Sequence, residues 1–275
     1  MSLGTNKVVI MSQVAVFSAT GGTVSTDGSY TVHTFTAGAD FVVSGTAGTV
    51  DIMVLAGAGG GGLTPGPGQP FGTGGGGAGG MKYLPSYEIA VGTHTVGIGG
   101  GGASATTGTD SSIGSVATSA AGGAGGYHSE APASYDGAPG GSGGGGCGIP
   151  PSGYGGAGTT NQGNSGAASV NKTDAGGGGG VMAGGGRHGG QPQSGGSGAT
   201  EGTSAVHNWT TGSGTSTLDI NSTSTQYGKG GEAQESSSAG PANTGYGGNG
   251  GYGDSAVAAN GGPGGSGLVI VRYLT

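Results

Sequence analysis

The chain has 275 residues, 78 of them glycine, with 7% charged residues and a formal net charge of −7. Charged residues are about a quarter of an ordinary globular chain, and six scattered basic residues cannot build the cationic groove that displaces counterions from nucleic acid. Collagen is excluded as well, because "MKYLPSYEIAVGTHTVGI" and "STLDINSTSTQY" break its every-third-glycine rule for many residues.

Residues 1–29 read as an attachment segment. "VVIMSQVAVF" is apolar but is interrupted by Ser12 and Gln13, lacks a basic flank and is too short to span a bilayer, so neither export nor membrane insertion is expected. "NKVVIMSQVAVF" would join neighbouring proteins as an added strand or an oligomer seam.

From Tyr30 the alternation is that of strands. In "YTVHTFT", Tyr30, Val32 and Thr34 share one face, and Thr31, His33 and Phe35 the other. "DFVVSG" follows the turn Ala37-Gly38-Ala39. "TVDIMVLAGA" carries Val50, Ile52, Val54 and Leu55 in a nearly unbroken apolar run, the kind buried on both faces. "YEIAVGTHTVGI" predicts a hairpin around Gly92 and Thr93, and "SSIGSVATSA" one weaker strand. Short strands at regular spacing with glycine turns predict an all-β fold, a β-sandwich over residues 30–121.

The terminal "LVIVRYL" matches "VDIMVLA" in length and aliphatic content, so it is expected in the same sheet, with residues 266–275 completing the sandwich. Residues 122–265 then form an insertion: glycine runs such as "GGSGGGGCG", "GGGGGVMAGGG" and "GYGGNGGYG", broken by short variable segments. A backbone without Cβ adopts the polyglycine II helix, with three residues per turn and about 3.1 Å rise. Such helices have no internal hydrogen bonds, so they must bond to their neighbours, and only glycine lets them approach that closely. The insertion is therefore expected to be a bundle of these helices with the variable segments as its turns.

The pattern "YTVHTFTAGADFVVSGTAGTVDIMVLAGAGGGG", followed by glycine-rich sequence and "GGPGGSGLVIVRY", resembles the glycine-rich tail proteins of tailed bacteriophages. Residues 30–102 and 261–273 carry the resemblance; the middle shares only the style. Distal tail-fibre adhesins within that group form a sandwich of polyglycine II helices whose loops touch the host receptor, and here the runs are less regular and the β-rich flank is longer. The resemblance implies a virion tail component, made in the host cytoplasm, that meets other tail or fibre proteins and a host surface protein or glycan. A homotrimer and a monomer on a trimeric fibre both remain open.

Catalytic motifs are easily mimicked by so much glycine. "GGSGG" at 140–144 fits a nucleophile elbow, but no helix-forming sequence follows it. "GGYGDSAV" places Asp254 one residue early for a calcium-binding repeat and occurs once. His128, Glu130 and Asp136 lack any spacing that fixes a metal, and Cys147 has no partner for a disulfide or zinc site. No enzyme activity, cofactor or metal is expected. The sequons at Asn171, Asn208 and Asn221 matter only in a secretory pathway.

The residues left over are aromatic and polar, placed in the breaks between glycine runs: Tyr127, His128 and Tyr135; Tyr154, after Ile149, Pro150 and Pro151; Arg187 and His188; His207, Asn208 and Trp209; and Tyr227. Tyr, Trp and Arg anchor binding sites while Ser, Gly and Asn adapt around them. These ten are the candidate receptor-binding residues. Tyr246 and Tyr252, six apart, lie on one face of a three-fold helix and equally suit a plug in the bundle's side. The expected function is host binding at a tail tip. A stiff structural spacer is the alternative; ice binding lacks the regular G-x-x face and the disulfides it usually needs.

Overall fold

The computed structural model describes residues 15–64, 71–128, 134–148, 153–170, 174–182, 185, 195–196, 199–200, 204–206, 215–217, 220, 226–233, 238–252 and 260–275. Nine strands come first: β1 (Ser18–Thr20), β2 (Thr23–Asp27), β3 (Tyr30–Phe35), β4 (Ala39–Ser44), β5 (Gly48–Leu55), β6 (Met81–Ile89), β7 (Gly92–Gly97), β8 (Ser111–Ile113) and β9 (Ala117–Ser119). Two short pairs follow, β10 (Ala199–Thr200) with β13 (Gln226–Tyr227) and β11 (Ser204–Val206) with β12 (Thr215–Thr217), and β14 (Leu268–Leu274) ends the chain.

The long strands form a β-sandwich of two antiparallel five-stranded sheets, ordered β1-β4-β7-β8-β9 and β2-β3-β14-β5-β6. Phe35, Ile52, Val54, Ile89, Val269 and Val271 of one sheet meet Phe41, Val43, Val96 and Ile113 of the other in the core between them. The second sheet buries its other face too: Met53, Leu55, Met81, Leu268 and Ile270 pack under Val181, Ile220 and Tyr227 from the glycine-rich region. That is why β5 is apolar at successive positions, and why β14 is.

The last strand occupies the centre of its sheet, antiparallel to both β3 and β5, with Val269 opposite Phe35 and Val54. In either edge position a run such as Leu268-Val269-Ile270-Val271 would present unpaired backbone and apolar side chains to water. Of the two edge strands, β2 and β6, the latter is blunted by Pro85, by a bulge opposite Asp51, and by Gln162, whose carbonyl accepts the Met81 N–H at 2.9 Å.

Two expected elements differ. Gly92 does not turn a hairpin: β6 and β7 belong to different sheets, and Gly92 (φ 145°) lies where the chain crosses between them. Ile89 and Val96 both face the inter-sheet core, so the connection spans the sandwich edge instead of folding back in plane. "SSIGSVATSA" makes two strands, β8 and β9, joined at Gly114 (φ 48°).

The glycine runs continue these strands. β5 passes directly into residues 56–62, residues 73–80 lead into β6, β9 into 120–126, and 260–267 into β14. The β5–β6 pairing, Leu55 opposite Met81, carries on as Ala56 N–H to Gly80, Gly59 to Gly77 and Gly62 to Gly74. Only every third residue now serves that neighbour. Ala58 and Gly61 donate to Gly265 and Gly262, and Gly57 and Gly60 to Thr109 and Thr106. A partner that recurs every third residue is the signature of a three-fold helix, the polyglycine II repeat.

Residues 74–80 show the full lattice. All seven amides donate, at 2.8–3.1 Å: Gly74, Gly77 and Gly80 to Gly126, Gly123 and Ala120; Gly75 and Ala78 to Gly176 and Gly179; Gly76 and Gly79 to Gly248 and Gly245. Their carbonyls accept from three further tracts, through Gly62, Gly59 and Ala56, through Gly145 and Ser142, and through Gly231. One tract thus bonds to six neighbours, three as donor and three as acceptor, with parallel and antiparallel partners mixed. A Cβ on Gly76 would lie 2.7 Å from Gly59 C and 2.9 Å from Gly60 C, closer still to Gly59 O. The core is made of backbone, and its density depends on missing side chains.

The join between the two architectures follows from the same fact. Sandwich sheets stand about 10 Å apart because side chains fill the gap. Where the side chains end, the two layers come into direct contact: Gly122 and Gly125, beyond β9 of one sheet, donate to Gly57 and Gly60, beyond β5 of the other, at 2.9 Å.

Candidate binding surface

The lattice has two unlike ends. At the strand-side end, the last residues of the sheets and the turn at 159–163 close it off. At the other end, about 20 Å farther along a six-residue tract, the described chain departs after Thr64, His128, Gly148, Val170, Ala233 and Tyr252 and returns at Phe71, Ser134, Gly153, Asp174, Ser238 and Asn260. Bonds between Gly62 and Gly74, Tyr127 and Ser134, Cys147 and Gly153, Val170 and Asp174, Glu232 and Gly250, and Gly62 and Gly261 place these points together.

Four of the ten candidate residues gather here. Tyr127 and Ser134 make an antiparallel bridge, with the Tyr127 N–H donating to Ser134 O at 2.7 Å. The His128 ring stacks on Tyr135 at 5.7 Å between centroids and 29° between planes, and Phe71 lies 6.2 Å from it on a tilted course. The Tyr135 carbonyl accepts from Cys147, which ties this cluster to the lattice. Asp136 Oδ1 accepts the Tyr154 N–H at 2.7 Å, and the Tyr154 carbonyl accepts from Gly137. Tyr154 itself is 72% exposed, presented outward on a fixed backbone. His128 Nδ1 is buried and has no partner among the described residues.

Arg187, His188, His207, Asn208 and Trp209 lie outside the described residues. Tyr227 is a correction: it is 4% exposed and packs with Met81, Tyr83 and Val181 against the outer face of the β14 sheet, so its ring belongs to the core. Tyr246 is half-buried near the strand-side end and donates to Gln226 Oε1 at 3.0 Å, with burial pushing its phenol above the usual range. Tyr252 reaches the far end, bridged to Gly72. Phe71 was not singled out from sequence; the signal was an aromatic opening a glycine run, as Tyr127 closes one.

Among the described residues no group of three His, Cys, Asp or Glu comes together to hold a metal, and no helix is long and apolar enough to cross a membrane. Cys147 is buried, its Sγ 3.4 Å from Gly72 O. Ser142, centre of "GGSGG", is fully buried in an extended tract, where no substrate reaches its hydroxyl. Open recesses do exist: one of about 580 Å³ beside β6, lined by Leu84, Tyr87 and Val116, and one of about 340 Å³ beside Tyr127.

A family model described as a glycine-rich domain matches residues 25–274. The chain belongs to that family, and the match takes in the sandwich from β2 onward, the lattice and the closing strand. No curated protein matches the chain.

Proposed function

We propose that this protein is a tail or tail-fibre tip protein of a tailed bacteriophage, an adhesin that binds a host cell-surface receptor through the segments between its glycine tracts. It acts as a binding module and not as an enzyme, and its partners are the virion's tail proteins on one side and the host surface on the other. The observation that carries this reading is the molecule's polarity. Both ends of the described chain, Ala15–Phe17 and Tyr273–Thr275, lie at the sandwich pole, where Phe17 packs edge-on against Tyr273 at 4.7 Å. Six of the breaks between glycine tracts open at the opposite pole, whereas the chain around Val181 and Gln226–Tyr227 lies against the β14 sheet on the sandwich side. One pole suits attachment and the other suits contact.

A backbone lattice also supports the reading in energetic terms. Its bonds do not depend on loop side chains, so loop sequences can change without repacking a core. The test is adsorption of the purified protein to a panel of bacterial strains, with residues 127–136 and, separately, 205–210 exchanged for Gly-Ser segments of equal length. The adhesin reading expects binding to at least one strain and its loss in an exchanged variant that still melts normally. Binding to no strain, or binding unchanged by both exchanges, favours a structural spacer within the virion.

A further inference from the structure

We propose that the recess beside Tyr127 is a binding site for a neutral saccharide unit, an inference that rests on the adhesin reading and names the chemistry of its ligand. The recess, about 340 Å³, is lined by Thr106, Thr107, Tyr127, Ser134 and Asp136 over a floor of small residues. That volume falls at the lower end of the range for small-molecule sites, about 300–1,000 Å³. It suits one or two sugar rings.

The walls come from three chain segments that the lattice fixes relative to one another. Gly60 donates to Thr106 O and Gly125 to Gly60 O, both at 2.9 Å, and Ala138 donates to Ala124 O at 2.9 Å. Ala105, on the rim, is held in the left-handed region at φ 55°, with its N–H bonded to Gly61 O at 2.7 Å. A non-glycine residue kept there without a side-chain hydrogen bond of its own is strain that the surroundings impose, and such strain concentrates at ligand sites.

The lining chooses the ligand. Tyr127 supplies an aromatic surface for the apolar C–H face of a pyranose, with a hydroxyl at its tip. The Thr106 and Ser134 hydroxyls donate to Ser104 O and Asp136 O, both at 3.3 Å, and accept from a sugar hydroxyl, while Thr107 supplies a hydroxyl that can donate as well. Asp136 Oδ1 is engaged by Tyr154, while Oδ2 has no partner among the described residues and accepts from a sugar hydroxyl as a charge-assisted bond. Among the described residues no lysine, arginine or histidine lines the recess. Phosphate, sulfate and carboxylate groups would face Asp136 with no counter-charge, in a chain of net charge −7. A hydroxyl-rich neutral ring satisfies every group present.

The experiment is saturation-transfer NMR on the full chain with the methyl glycosides of glucose, galactose, mannose, N-acetylglucosamine and N-acetylgalactosamine, and with galacturonate and sialic acid as anionic probes. We expect transfer to at least one neutral glycoside and at least tenfold weaker binding of the acids. Tyr127→Ala and Asp136→Asn, each checked for an unchanged melting temperature, should weaken that binding at least tenfold, while Val91→Ser at the opposite pole leaves it unchanged. Transfer to none of the neutral probes, stronger transfer to the acids, or equal binding by both site variants overturns the proposal. Periodate or protease treatment of cells separates this failure from that of the adhesin reading. Adsorption that survives periodate and is lost to protease keeps the adhesin and removes the saccharide; sugar binding without adsorption to any strain does the reverse.

Discussion

Asp51 and Arg272, 221 positions apart, face each other across β5 and β14 in an ion pair of 2.9 Å, with the arginine side chain 4% exposed and the aspartate 17%. Asp51 Oδ1 also accepts the N–H of Ser86, a residue at φ 52° in the β6 bulge, at 2.8 Å. The Arg272 guanidinium lies 4.3 Å over the ring of Tyr30 in β3. One pair therefore ties four strands at the outer end of the sheet. Removing one member of a buried pair leaves the other charge uncompensated, so Asp51→Ala is expected to cost about 3 kcal/mol in urea unfolding. The double variant Asp51→Ala/Arg272→Met should regain at least half of that loss.

Glycines in the lattice should differ sharply from glycines outside it. Gly76→Ala forces a methyl group into the backbone of residues 59 and 60, and it should destabilise by at least about 4 kcal/mol or prevent folding. At Gly100 a Cβ meets nothing nearer than the Thr109 hydroxyl at 3.9 Å. Gly100→Ala should change stability by less than about 1 kcal/mol. Parallel thermal melts of the two variants check the contrast.

Two tyrosines separate core from surface. Tyr227→Ala removes a buried ring from beneath the β14 sheet and should cost about 3 kcal/mol. Tyr154→Ala removes a ring that is 72% exposed and should stay within about 0.5 kcal/mol of the parent in the same denaturation experiment.

Tyr246 gives a pH signature. Burial favours its neutral phenol, so its value in the fold lies above the ordinary one near 10. Below that ordinary value neither state ionises, and Tyr246 imposes no slope. As the pH rises past it the unfolded chain loses the proton first, and stability falls until the folded phenol also titrates. Unfolding free energies measured from pH 8 to 11 should fall more steeply for the parent than for Tyr246→Phe; parallel curves would contradict this.

Much of the sandwich was legible because its strands obey side-chain rules. Val32 and Phe35 fall on opposite faces of β3 as the alternation requires, and an unbroken run such as Leu268–Val271 has no stable place at a sheet edge. The Gly92 turn was misread since a glycine between two strands looks alike whether the chain folds back in one sheet or crosses to another. The Asp51–Arg272 pair could not be seen, as nothing local to either residue marks a partner 221 positions away. Within the lattice the three-residue period is a property of glycine backbone, but which tracts touch is written in no side chain. Tyr227 looked like a loop aromatic because "TSTQYGKG" has no apolar neighbours; its neighbours come from the sheet it covers.

Amide hydrogen exchange resolved by residue addresses the backbone lattice most directly. If residues 74–80 and 142–148 bond as described, their amides exchange as slowly as those of β14, with protection extending some six residues beyond the ends of β5 and β9. Exchange of these glycine amides at the rate of unstructured peptide, beside a protected β14, would contradict a core built from main chain.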